Sequence, residues 1–245
     1  MIAGIFHEGS GLGNQLHRYV MTRVLAADKG YEFGMVNPGN FKGGDFMSLD
    51  MGKPVMQLLN TFHEKKVFNE DENDIRPYDF SVKEVSDGTV IDGEFQGEDY
   101  YKHRLREIDE WLRVEPLEMP DDLCVIGFRG GEYVGVRDLF LPLSYWATAI
   151  QHMRDLHPGI RFEVHTDDVE TASQFFPGFE CMHYMSRNWR AVRYAKHLII
   201  SNSSFYILPS LLGPAQEILA PHHWAGRNKG YWQLEQNQYK RFTYL

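Results

Sequence analysis

Cysteine is nearly missing from this chain: Cys124 and Cys181 are the only two among 245 residues. They imply no disulfide framework, and a reducing compartment fits. Cys124 lies in an apolar run and reads as a small buried hydrophobe. No apolar run approaches the roughly 18 residues of a membrane span. The start, Met1-Ile2-Ala3-Gly4-Ile5-Phe6, lacks a basic leader and is too short for a signal core. The expectation is a cytoplasmic protein without a transmembrane segment. Basic charge is also short: Lys and Arg number 25 against 34 Asp and Glu, a net charge of −9. That excludes a non-specific nucleic-acid binder, which needs a basic surface. There is no Walker A loop, no nucleophile elbow and no zinc set, and His222-His223 are adjacent rather than at ligand spacing. Repeats and low-complexity tracts are absent.

Apolar residues, in contrast, are plentiful at 43 %, and aromatics reach 14 %. They suit a large core, or a cleft that stacks sugars or bases. Short apolar runs predict strands at Ile2–Phe6, Tyr31–Val36, Thr89–Ile91, Leu123–Phe128, Arg161–His165, Leu198–Ser201 and Glu217–Ala220. Helical spacing predicts helices at Leu16–Lys29, Asp99–Leu112, Ser144–Leu156, Asp168–Phe175, Asn188–Ala195 and Ser203–Leu212. Strands apolar on both faces that alternate with helices argue for an α/β fold with parallel sheets. Asn37 to Ser86 reads as irregular, acidic around Asn69–Asp74 and a candidate acceptor surface. The polar, turn-rich stretch Glu115–Asp122 is the best domain boundary, giving domains 1–120 and 121–245.

Four stretches place polar groups at strand ends, where ligands bind in open α/β sheets. The first is Gly9-Ser10-Gly11-Leu12-Gly13-Asn14-Gln15, a glycine turn leading into a helix. Its spacing is not that of a dinucleotide fingerprint. Gly11 and Gly13 let backbone approach a ligand, helix amides favour an anion, and Asn14 and Gln15 can bond a phosphate or sugar oxygen. The bland reading is a tight turn with Asn14 as a cap. The second is Gly127-Phe128-Arg129-Gly130-Gly131-Glu132-Tyr133, where Arg129 can fork onto a diphosphate. Its bland reading is an arginine paired with a carboxylate. The third is His165-Thr166-Asp167-Asp168. Here one carboxylate accepts from a base or ribose, or the pair holds a divalent cation, or one side chain caps the next helix. The fourth is Ile200-Ser201-Asn202-Ser203-Ser204, hydroxyls plus helix amides for an anion, or simply a capped turn.

Taken in order, these residues resemble the alpha-1,2-fucosyltransferase family, within the superfamily that includes the protein O-fucosyltransferases. Gly11-Leu12-Gly13-Asn14-Gln15-Leu16 is similar to that family's opening signature. Gly93-Glu94-Phe95-Gln96 through Tyr101, Phe128 through Tyr133, Leu141-Pro142 through Trp146, Phe162 to Asp168, Ala195 to Phe205, and Ile218 to Trp224 resemble its later motifs. The departures are Gly127 for a histidine, Gly130 for an arginine and Glu132 for an aspartate. The resemblance implies a GT-B-like enzyme of two Rossmann-like domains with a donor cleft between them. It implies inverting, metal-independent transfer from GDP-fucose to a hydroxyl of a glycan or glycoconjugate acceptor, without a cofactor. Residues 1–120 would be the acceptor side and residues 121–245 the nucleotide-sugar domain.

Arg129 would then hold the donor diphosphate and stabilise the leaving group. Gly11, Gly13, Asn14 and Gln15 would face that phosphate, with Asn202, Ser203 and Ser204 beside it. Thr166 with Asp167 or Asp168 would read the base. A hydroxyl base, if one is used, would come from Glu8, Glu132, Asp138 or His7, and the sequence does not choose. Gly127 favours an alternative donor such as a rhamnosyl or xylosyl nucleotide. A non-catalytic binding relic is the reading from another class, opposed by Arg129 and the serine turn.

Overall fold

The computed structural model describes residues 1–57, 60–66, 77–224, 236 and 238–245. The acidic run Asn69–Asp74 lies outside them. The chain divides into two compact units, Met1–Val114 with Leu234–Tyr239, and Glu115–Gln233 with Lys240–Leu245. The passage at Val114–Glu115 falls at the head of the polar stretch Glu115–Asp122. Among the described residues no helix is long and apolar enough to cross a membrane.

The first unit is built from β1 (Ile2–Ile5), α1 (Leu12–Lys29), β2 (Phe33–Val36), β3 (Asn60–His63), β4 (Thr89–Asp92) and α2 (Leu105–Trp111). Its four strands run in the order β2-β1-β4-β3, and every pairing is parallel. β1 and β4 are central and nearly buried. The apolar side chains of α1 at Leu12, Leu16, Tyr19, Val20 and Val24 are buried in turn. Their i, i+3, i+4 recurrence is the stripe that fixes a helix on a sheet. Helix α1 starts four residues earlier than its apolar pattern suggests. Gly11 is its extended N-cap and Asn14 lies inside its first turn. Asn14 is therefore not the cap. Helix α2 starts later than expected: two tight turns, Glu98–Tyr100 and Lys102–Arg104, precede it. There the aromatic rings of Tyr100 and Tyr101 are fully buried.

The second unit carries β5 (Leu123–Phe128), α3 (Leu143–Leu156), β6 (Arg161–Thr166), α4 (Val169–Phe175), β7 (Glu180–Met182), α5 (Met185–Tyr194), β8 (His197–Ile200), α6 (Ser204–Leu212), β9 (Glu217–Ala220) and β10 (Thr243–Tyr244). Its sheet order is β10-β9-β8-β5-β6-β7, again all parallel. β5 is buried along its whole length. Cys124, Ile126 and Phe128 alternate onto one face and join Trp146, Ala149 and Met153 of α3 in the core. The Phe128 ring lies 5.4 Å from each of Trp146, Phe175 and Phe176. Burying such a ring contributes about 1.5–3 kcal/mol. This packing fixes the end of β5, and so the position of Arg129.

Candidate functional site

In the second unit, β6, β5 and β8 are neighbours and parallel, so their carboxyl ends share one edge of the sheet. Topology thus gathers the stretches at Arg129, Thr166–Asp168 and Ser201–Ser204. Each then has its own local explanation. Arg129 Nη1 lies 2.7 Å from Asp167 Oδ2, and its Nη2 donates to Glu132 Oε1 at 2.9 Å. The Arg129 side chain is 29 % exposed, Asp167 31 % and Glu132 75 %, so Glu132 is the partner more open to water. Burial works against the Arg129 charge, but Asp167 and then Glu132 more than offset it and raise its pKa. Asp167 Oδ1 also accepts the Gly130 N–H at 2.9 Å.

Asp168 is the N-cap of α4. It accepts the Thr171 N–H at 3.0 Å and the Thr171 hydroxyl at 2.6 Å, and the Gly131 N–H at 3.2 Å. Burial would raise the Asp168 carboxyl; the Thr171 and Gly131 donors outweigh it and hold the group below its ordinary range. The two adjacent carboxylates therefore differ: Asp168 is tied to a helix end and Asp167 to the guanidinium. Thr166 is fully buried, and its Oγ1 accepts the Asp168 N–H at 2.9 Å. His165 beneath it is fully buried between Glu163 (2.6 Å) and Asn188 (3.0 Å).

A Cβ on Gly130 would sit 2.9 Å from Asp168 Oδ2, and one on Gly131, at φ +42°, would collide with Asp167 Oδ2. These glycines admit the protein's own carboxylates. Gly127 is explained by Tyr206 of α6: a Cβ there would lie 2.8 Å from the Tyr206 ring. The Tyr206 hydroxyl donates to the carbonyls of Phe128 (3.0 Å) and His165 (3.1 Å), tying the first turn of α6 to the ends of β5 and β6.

At that helix start Ser203 is the N-cap residue, yet its hydroxyl makes no capping bond. Ser201 Oγ and Asn202 Oδ1 are buried without a partner among the described residues. Unmatched buried acceptors and donors of this kind are rare in folded proteins. Asn202 Nδ2 holds the carbonyls of Leu139 and Trp224 at 2.9 and 2.5 Å. Ser204 opens the helix itself. Among the described residues no group of three or more His, Cys, Asp or Glu side chains is arranged to hold a metal ion.

The first unit has its own polar edge, at the ends of β1 and β4. Gln15 is fully buried, donating to Asn40 O at 2.7 Å and accepting the Lys42 N–H at 2.9 Å. It braces the loop after β2, with Gly13 buried beside it. Asn14 is half-buried, and its Oδ1 accepts from Gln96 Nε2 at 3.1 Å. Gln96 is held by a turn in which Phe95 takes φ +45°. A bulky residue at positive φ is a strained conformation that surroundings must impose. Glu64 imposes it by accepting the N–H groups of Glu94 (2.7 Å) and Phe95 (3.1 Å). Arg18 spans the same edge, donating to Gly93 O at 2.7 Å and to Ser10 Oγ at 3.0 Å. His7 Nε2 meets Asp92 Oδ1 at 2.8 Å. Glu8 is exposed, and Asp138 is half-buried in the loop after β5.

No family model matches this sequence, and no curated protein matches it. Solved structures do match. The chain is similar to the NodZ alpha-1,6-fucosyltransferase soaked with GDP-fucose, at 13 % identity and a TM-score of 0.53, over 96 % of this chain and 99 % of that one. It is similar to the fucosyltransferase NodZ from Bradyrhizobium at 12 % identity and a TM-score of 0.52, over 86 % and 93 %. The NodZ alpha-1,6-fucosyltransferase co-crystallised with GDP matches at 13 % identity and a TM-score of 0.50, over 86 % and 92 %.

The fold is GT-B-like. At such low identity the likeness speaks for architecture, and chemistry must be argued from side chains.

In this GT-B-like chain the structure adds Arg18, Glu64, Asp92 and Gln96 to the residues that the sequence singled out. Only Gln96 lay in a recognised motif. The others are joined to their partners across long separations, 75 residues for Arg18–Gly93 and 85 for His7–Asp92.

Proposed function

We propose that the protein is an inverting, metal-independent glycosyltransferase that moves fucose from GDP-fucose to a hydroxyl of a glycan acceptor. The reading is carried by the edge of the second unit, where Arg129 and the uncapped start of α6 converge at the ends of β5 and β8. It is supported by the fold shared with the NodZ structures, one of them co-crystallised with GDP and another soaked with GDP-fucose. Breaking the sugar–phosphate bond leaves negative charge on the departing diphosphate. A preorganised guanidinium and helix amides stabilise charge as it develops, without reorganisation at the moment of reaction. In this reading the diphosphate displaces the exposed Glu132 from Arg129, because a surface ion pair is worth little. Ser203 and Ser204 bond the phosphate oxygens and Asp167 reads the base or ribose. In the first unit, Gln15 braces the loop that carries Gly11 and Asn14.

A second reading, a different nucleotide sugar such as a rhamnosyl or xylosyl donor, is favoured by one observation. Tyr206 occupies the space at Gly127 where the resembled family carries a histidine. Thermal shift separates the two. GDP should raise the melting temperature more than UDP or dTDP, with the effect unchanged by EDTA. A ligand at a hundredfold excess over Kd contributes about 2.7 kcal/mol. A clear win for UDP or dTDP would rule out the GDP-fucose reading.

A further inference from the structure

Building on the transferase reading above, we propose that Asn188 is a positioning residue of the nucleotide edge. It holds the end of β6 so that the Asp167 carboxylate sets the Arg129 guanidinium for the diphosphate. Asn188 stands in the first turn of α5 and is 4 % exposed. Asparagine is a poor helix former, and a buried amide needs partners. Its Nδ2 donates to the Thr166 carbonyl at 2.8 Å.

That bond falls where backbone pairing stops. The β5–β6 ladder ends at Phe128 and Thr166, and the β6–β7 ladder at His165 and Met182. A buried carbonyl at the end of a strand turns to side chains for its donor, and Asn188 is that donor. The Thr166 carbonyl belongs to the peptide unit that joins Thr166 to Asp167. The unit is planar, so a bond to its oxygen fixes the direction in which the chain enters Asp167. Asp167 in turn brings Oδ2 to 2.7 Å of Arg129 Nη1 and accepts the Gly130 N–H at Oδ1. Asn188 therefore reaches the guanidinium through one peptide and one carboxylate, all inside the second unit.

Behind Asn188 the network is closed. With Nδ2 committed to a carbonyl, Oδ1 faces the His165 ring and accepts from Nδ1 at 3.0 Å. His165 Nε2 meets Glu163 Oε1 at 2.6 Å. That bond leads the effects that hold the Glu163 carboxyl below its ordinary range against burial, so the carboxylate accepts. Tyr206 of α6 holds the preceding carbonyl, that of His165, at 3.1 Å. A buried polar network whose members are all bonded is rigid and specifies one arrangement. Apolar side chains would fill the same space without directing the end of β6.

A double-mutant cycle in the intact chain tests this, read as the Kd for GDP and as turnover. Asn188→Ala should raise the Kd by ~10-fold, within the range that coupled neighbours show. It should lower kcat by ~10², the cost of a small misplacement at the reacting centre. In an Asp167→Ala background the same substitution should change the Kd by less than ~2-fold, because Asn188 acts through Asp167. Val192→Ala truncates a fully buried side chain of the same helix. It should lower the melting temperature yet leave the Kd and kcat unchanged. A Kd and turnover of Asn188→Ala within ~2-fold of wild type, or equal effects with and without Asp167, overturn the assignment alone. If Asn188→Ala does not fold, Asn188→Ser, too short to bridge Thr166 and His165, goes through the same cycle with the same outcomes. Wild-type protein that binds no GDP overturns the transferase reading, and this assignment with it.

Discussion

Beyond β1 the chain passes through Gly9 and Gly11 into α1, and beyond β5 it passes through Gly130 and Gly131 toward α3. A methyl group added at Gly9 or Gly11 would meet no atom within 4 Å. At Gly130 and Gly131 the same methyl group would run into Asp168 and Asp167. Written out, the two loops look alike, small residues after an apolar strand. In the folded chain the first keeps its glycine room open, while the second fills it with its own carboxylates. A glycine-rich strand end is thus two different signals, and only the atoms across the turn tell them apart. The polar side chains follow the same division. Arg18 reaches a carbonyl and a hydroxyl beside the open loop, whereas Arg129 is held by two carboxylates.

The comparison breaks first at its glycines. Gly131→Ala should cost about 1–3 kcal/mol, because a Cβ at φ +42° is strained and also displaces Asp167. Gly11→Ser should change stability by only about 0.5 kcal/mol, since serine is welcome at an extended N-cap. It should still lower transfer by narrowing the open loop. Chemical denaturation of both variants checks this, and equal losses would mean that the two loops do not differ as described.

A smaller effect sharpens the contrast within the second loop. Asp168→Ala removes the cap of α4 and should cost about 1 kcal/mol, seen as a lower melting temperature at any nucleotide concentration. Asp167→Ala frees Arg129 and Gly130 and should mainly reduce the shift given by GDP. If Asp168→Ala abolishes the GDP shift and Asp167→Ala leaves it intact, the roles are reversed.

Much of this architecture was legible in the chain. β5, buried on both faces, shows as a continuous apolar run, and α3 as an apolar stripe through Tyr145, Ala149 and Met153. β3 was not legible, because Asn60–His63 is a polar, mostly exposed edge strand without alternation. β7 and β10 are three and two residues long, too short for any period. At the site, Arg129 stands out because it follows the apolar run of β5, and Asp167 because it follows β6, where Phe162 and Val164 alternate with polar residues. Asp92 does not, since nothing local distinguishes the last residue of a strand that meets His7 from 85 positions away. Glu64 is hidden for the same reason, its role being to hold the backbone at Glu94 and Phe95. The glycines mislead in the second loop, because sequence shows the missing side chain and not what fills its place.

The measurement closest to the central claim is GDP release from GDP-fucose by wild type, Arg129→Ala and Arg129→Lys, each with native circular dichroism. The charge of lysine remains but its fork is lost, so lysine should not rescue. Loss of one preorganised donor to a developing anion costs ~10²–10³ in turnover. We expect wild type to release GDP with transfer of the sugar, and both variants to fall by at least that factor. Turnover of Arg129→Ala within a few-fold of wild type would show that Arg129 serves only its ion pairs with Asp167 and Glu132, and would contradict the account.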